Sequence, residues 1–145
     1  MKNLLLGSIL CFAISVDSAV ANTNPIKAIV EAVENFASNA DQQNVAKMEK
    51  TLHKDFRAVL NQLFGSKEVS ITNKESYLEL LKAKKIGGDT RIVTINSVDI
   101  QGKNAFVKAT FKGKKLNFNT YLLLVEEEKG LWKIISDTPL ITTVE

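Results

Sequence analysis

From residue 91 onward the chain is punctuated by turns too short for anything but hairpins. Arg91 to Gln101, Asn104 to Lys112, Leu116 to Glu126 and Leu131 to Asp137 are four β-rich runs. Gly102-Lys103, Gly113-Lys114-Lys115 and Lys129-Gly130 separate them. A parallel neighbour needs a crossover of a dozen or more residues, whereas two or three are enough for an antiparallel one. This half of the chain therefore predicts a long antiparallel meander.

The preceding half carries a different period. Asn24-Pro25 reads as an N-cap with proline at the first helical position. Ile26, Ile29, Val30, Val33, Phe36 and Ala37 then recur at three- and four-residue spacing, one apolar stripe of a helix. Asn39-Ala40-Asp41 predicts its end, with Asp41 capping a shorter second helix whose buried side holds Val45, Met48 and Leu52. Phe56 to Leu63 is apolar without clean alternation, Gly65-Ser66-Lys67 reads as a turn, and a short strand at Val69 to Ile71 completes a hairpin. Thr72 and Glu75 have capping-box spacing, opening a third helix that carries Tyr77, Leu78, Leu80 and Leu81 and runs to Gly87-Gly88. The sum is an α+β fold, with three N-terminal helices packed on one face of a mainly antiparallel sheet. A length of 145 residues suits one such domain and excludes a large catalytic barrel.

The N-terminus reads as an address. Met1-Lys2-Asn3 is basic, Leu4 to Val16 is an apolar run of 13 residues, and Ala19-Val20-Ala21 offers small residues at a cleavage site. A helix crossing a bilayer needs roughly 20 residues. The expectation is a signal peptide at residues 1–21, a single domain at 22–145, a secreted or periplasmic product and no stable membrane insertion after cleavage. The sole cysteine, Cys11, lies inside the apolar run. The exported chain would then have no disulfide, no thiol nucleophile and no cysteine metal site.

The ordered set of these features resembles the nuclear transport factor 2-like superfamily of cone-shaped domains, in particular its SnoaL-like members. Asp41 followed by Leu52-His53-Lys54-Asp55-Phe56 is similar to their aspartate, helix and His-Pro-Asp-aromatic passage. Phe118-Asn119-Thr120-Tyr121-Leu122-Leu123-Leu124, then Gly130-Leu131-Trp132-Lys133-Ile134, is similar to their strand pair ending G-x-W-K-I. The branch closest in pattern is the one labelled lumazine-binding, over about residues 25 to 140. Two positions depart from it: Lys54 replaces a common proline, and Thr120 stands where the branch often carries aspartate. The resemblance implies a cone with a curved sheet, a pocket between sheet and helices, and frequent dimerisation through the outer sheet face. It does not fix a reaction, because isomerases, dehydratases, cyclases and plain binding domains share the fold.

Within that frame the polar candidates are few. His53 is the only histidine, so a histidine-rich metal site is excluded. In extended chain it points the same way as Asp55 and the pair offers an acid and a base; His53 equally reads as the end of the second helix. Asp137 is the third catalytic candidate; strict alternation sets it opposite Trp132, Ile134 and Ser136, at a solvated strand end. Asp99 alternates with Val93, Ile95 and Ser97, which would turn it to the core side, but beside the turn it reads more readily as a solvated acid. Phe36, Tyr77, Phe118, Thr120 and Trp132 are candidates to line a ligand pocket, the aromatic ones reading equally as core. The first helix lacks the tyrosine that isomerases of this superfamily use as an oxyanion donor.

No glycine-rich phosphate loop, nucleophile elbow or HExxH motif occurs, so neither cofactor nor metal is expected. A net charge of +3, with the lysine clusters at 82, 84 and 85 and at 112, 114 and 115 falling at a helix end and a hairpin turn, gives no nucleic-acid stripe. Phe106 alternates with Lys108, Thr110 and Lys112, one aromatic on a polar strand face that suits a homodimer. The expected function is binding of a small apolar or aromatic ligand. A cofactor-free isomerase, dehydratase or cyclase, or a homodimeric interaction module, are the alternatives.

Overall fold

The computed structural model describes residues 24–144; the expected signal segment, with Cys11, lies outside the described residues. Helix α1 (Pro25–Asp41) begins as its sequence dictates, with the Asn24 side chain accepting from the Ile26 N–H and Pro25 at the first position. It does not stop at Asn39. Asn39 and Ala40 are buried, and Asn39 Nδ2 donates to Thr51 Oγ1 at 3.1 Å, so tertiary contacts carry the last turn. The cap of α2 (Val45–Thr51) is Asn44, which accepts from the Lys47 N–H, and Asp41 is committed elsewhere.

Leu52 opens strand β1 (Leu52–Asn61) rather than closing the helix. A 3-10 turn at Leu63–Gly65 leads to β2 (Val69–Asn73). Thr72 is held in the β1–β2 ladder opposite Ala58, so the cap of α3 (Lys74–Lys82) falls one residue later, on Asn73. After α3 the chain crosses the end of α1 in close contact. Gly88 N–H donates to Ala40 O at 3.1 Å, and a Cβ at Gly87 would lie 2.1 Å from that same oxygen. With φ of +73° as well, Gly87 has no tolerable substitute.

Strands β3 (Ile92–Gln101), β4 (Asn104–Lys112), β5 (Leu116–Glu128) and β6 (Leu131–Thr143) form the meander. The six-stranded sheet has the order β2-β1-β6-β5-β4-β3, antiparallel throughout except for the parallel β1–β6 pair. The sheet is therefore mixed, and its second and third strands are joined by a pairing that hairpin turns do not announce. β6 runs six residues past the predicted run and includes Pro139. The β1 ladder ends at Asp137, so the missing N–H of Pro139 falls where β6 has a neighbour on one side only.

Two bulges decide which side chains face inward. On β6, Ser136 pairs with Leu123 and Ile134 with Leu124, which leaves Ile135 as an extra residue. On β3, Ile95 pairs with Ala109 and Ser97 with Lys108, which leaves Asn96 extra. An inserted residue reverses the alternation beyond it. Asp137 consequently shares the buried face with Trp132 and Ile134, and Asp99 is turned outward while Val98 and Ile100 face the core. Strict alternation fails at both residues for this one reason: Asp137 is buried rather than solvated, and Asp99 is the solvated acid that its place beside the turn suggests. The helices cover the buried face, and Ile29, Val33, Met48, Leu52, Leu81, Leu122, Leu124 and Ile134 fill the space between.

Candidate functional site

Towards the far ends of β4, β5 and β6 the packing opens into a cavity of about 490 Å³. That volume suits a small organic ligand. Phe36 and Ala40 from α1, Ala58 from β1, Phe111 from β4 and Thr120 from β5 form its buried walls. Small residues make the room: Ala40 and Ala58 stand where longer side chains would close it. Tyr77 from α3 is wedged between Phe36 (6.2 Å, stacked) and Phe56 (5.3 Å, edge-on), so its ring is fixed.

The polar groups are few and buried. Asp137 is 8% exposed and Thr120 is 1% exposed, and Thr120 Oγ1 donates to Asp137 Oδ1 at 2.5 Å. Burial pushes the Asp137 carboxyl up to about 6, against the opposing pull of the Thr120 hydrogen bond and the Arg91 charge. Burial, with the nearby Asp137 charge, also raises Tyr77 well above the usual phenol range, so its hydroxyl stays a neutral donor. Arg91 completes the set. Its Nε and backbone N–H donate to the two Asp41 oxygens, its guanidinium also donates to Ala37 O at 2.9 Å, and Phe111 and Phe118 flank its plane at 5.2 and 5.1 Å. A cation so held is a fixed part of the wall.

The cavity thus collects Phe36, Tyr77, Phe118, Thr120 and Asp137 from the sequence candidates. Trp132 is not among its walls: it is buried in the core, and its Nε1 finds no partner among the described residues. His53 and Asp55 are not brought to Asp137 either. They lie near the start of β1, where His53 Nε2 sits 3.5 Å from Glu127 and Asp55 pairs with Lys54 at 2.7 Å. Lysine contacts hold both carboxylates there below the usual range, Lys133 on Glu127 and Lys54 on Asp55. This is a solvated charge cluster remote from the cavity. Among the described residues no group of acids, histidines and cysteines is arranged to hold a metal ion.

Arg91 and Asp41 were not singled out by sequence as a site. A signal existed: lysine supplies all but two of the 19 basic residues, and Arg91 is one of the two arginines. Arginine where a chain otherwise uses lysine marks a place that needs a planar, multidentate cation. The cavity carboxylate also comes from an unexpected strand. Asp137 on β6 supplies the acid, and Thr120 on the adjacent β5 donates to it.

The comparisons agree with this architecture. The profile of the family described as "Putative lumazine-binding" matches residues 24–138. No curated protein matches the chain. Among solved structures, an NTF-2 like protein of unknown function from Silicibacter pomeroyi superposes with a TM-score of 0.69 at 18% identity, covering 81% of this chain and 95% of that one. An NTF2-like protein of unknown function from Shewanella baltica gives 0.68 at 13% identity, covering 81% and 93%. A ketosteroid isomerase-like protein from Erwinia carotovora atroseptica gives 0.64 at 12% identity, covering 85% and 98%. At such identities the likeness speaks for the fold alone.

Proposed function

The chain belongs to the lumazine-binding family of nuclear transport factor 2-like domains, and from that premise we propose that it binds a small apolar or aromatic molecule in the cavity beneath α1 and α3. One observation carries the reading: a largely apolar chamber with a single buried polar corner, Asp137, Thr120 and Tyr77. Apolar walls supply affinity and a few fixed polar groups set orientation. Asp137 and Thr120 accept or donate, Tyr77 donates, and a ligand with one carbonyl or hydroxyl satisfies them. The reading includes export after removal of residues 1–21, the cone shape of the relatives, and a homodimer formed through the outer sheet face around Phe106.

The test is binding of a neutral fluorescent naphthylamine to residues 22–145, together with native mass spectrometry of the freshly purified protein. We expect saturable binding, or a retained small molecule, in the wild type and neither in Ala58→Phe, whose ring fills the chamber. Equal binding by a folded Ala58→Phe variant sinks the reading.

A second reading rests on the raised Asp137 carboxyl beside a neutral tyrosine. A carboxylate poised near neutrality can take a proton from carbon next to a carbonyl. The electron pair then moves onto the carbonyl oxygen, which accepts from Tyr77, and return of the proton to a second carbon completes an isomerisation. Solvent exchange of the α-protons of a bound aryl ketone, rising through pH 6 and lost in Asp137→Asn, is its expected signature.

A further inference from the structure

The charged groups around the cavity fall into two populations. Within the chamber wall Arg91 is neutralised by Asp41 behind it, and Asp137 is tied to Thr120. At the exposed rim stand Lys85, from the turn after α3, Lys115, from the β4–β5 turn, and Asp89. Asp89 is occupied: its Oδ2 accepts from the backbone N–H groups of Lys114 and Lys115, and the turn closes so tightly on it that a Cβ at Gly113 would lie 2.3 Å from the same oxygen. Neither Lys85 nor Lys115 reaches an acid within ion-pair distance among the described residues, whereas Lys54 and Lys133 elsewhere do. Two ammonium groups without acidic partners among the described residues thus stand on separate turns at the mouth of an apolar chamber.

From that placement the geometry points to an amphipathic acid as the ligand class: an apolar or aromatic body inside the chamber and a carboxylate at its mouth between Lys85 and Lys115. The inference rests on the reading of the cavity as a ligand site and adds the charge and direction of the ligand. The carboxylate stays half in water, where an ammonium partner need not be desolvated, and the body takes the apolar walls. The opposite orientation would bring a second carboxylate against buried Asp137, which like-charge repulsion disfavours.

The experiment compares 2-naphthylacetic acid with 2-naphthylacetamide, which have nearly the same shape and differ by one charge. Calorimetric titration of residues 22–145 is run at low and high salt. Two exposed ion pairs predict that the acid binds about fivefold to tenfold tighter than the amide at low salt, and that the ratio shrinks as salt rises. In the double variant Lys85→Gln/Lys115→Gln the ratio falls towards one. The control Lys103→Gln/Lys129→Gln makes the same change in net charge in other turns and keeps the wild-type ratio.

Acid and amide binding equally well to the wild type would overturn the anion inference while leaving the cavity reading in place. Equal loss of the ratio in both double variants would assign it to net charge and overturn the inference too. Binding of neither compound overturns both readings.

Discussion

The two ends of the same strands have been built to opposite specifications. At one end β5 offers Leu122 and Leu124, β6 offers Ile134 and β1 offers Leu52, all fully buried against Met48, Ile29 and Leu81. A few residues along the same strands, Thr120, Asp137 and Ala58 face α1 and α3 across open space. The first end is packed as a protein interior normally is, without room for a further group. The second forgoes that packing and keeps a carboxyl out of water. The difference separates what holds the fold together from what it holds the fold together for, and each end can be perturbed alone.

The largest effect is expected at the charged pair in the chamber wall. Asp41→Ala strands the buried Arg91 guanidinium, and removing one partner of a buried pair typically costs about 3–5 kcal/mol. Urea unfolding reads the loss, and a change under 1 kcal/mol would mean that the pair is dispensable. Leu124→Ala, at the packed end, should cost about 3 kcal/mol through lost burial and the cavity left behind.

Asp137→Asn should move stability the other way. The native state keeps the Asp137 proton up to about 6, against 3.8 for an ordinary aspartate, so between those values it binds more protons than the unfolded chain. Wild-type stability contributed by this group is complete below pH 4 and lost as pH rises through 6, by about 2–3 kcal/mol in all. The asparagine variant should lose that slope and exceed the wild type at pH 8. Thermal melts from pH 4 to 8 decide it, and a wild-type profile that rises over this range refutes the buried, proton-holding carboxyl.

The smallest stability effect is expected from Ala58→Phe. Extra bulk usually strains a core, but here it enters empty space, so stability should change by about 1 kcal/mol or less while ligand binding disappears. A severe loss of stability would show that the open end is packed after all.

Much of this architecture was legible in the chain, and the exceptions share a cause. β4 could be read residue by residue because its alternation is unbroken, with Ala105, Val107, Ala109 and Phe111 inward and Phe106 and Lys108 outward. Short turns gave away the antiparallel order, and the capping at Asn24-Pro25 gave away the first helix. Asp137 is buried against expectation, and alternation alone misleads at Asp99, because Ile135 and Asn96, the bulged residues, look like any strand residues. A bulge is chosen by the partner strand and by packing, and neither is visible locally. Asp41 looked like a cap because caps are local, whereas its true partner, Arg91, is 50 positions away. The parallel β1–β6 pairing was hidden for the same reason.

That pairing has a kinetic consequence. Ala58 and Asp137 face each other across β1 and β6 although about 80 positions separate them. The β3–β6 meander closes over turns of two or three residues and can form early, since short loops cost little entropy. β1 and β2 must travel back to dock beside β6 after that strand exists. The chamber is therefore assembled last, and a chain caught before the step carries Asp137 on an uncovered strand edge, still hydrated and acidic as an ordinary aspartate is. Refolding of this protein should then report two clocks: a fast one for the meander, and a slower one on which the Asp137 carboxyl first acquires its reluctance to ionise.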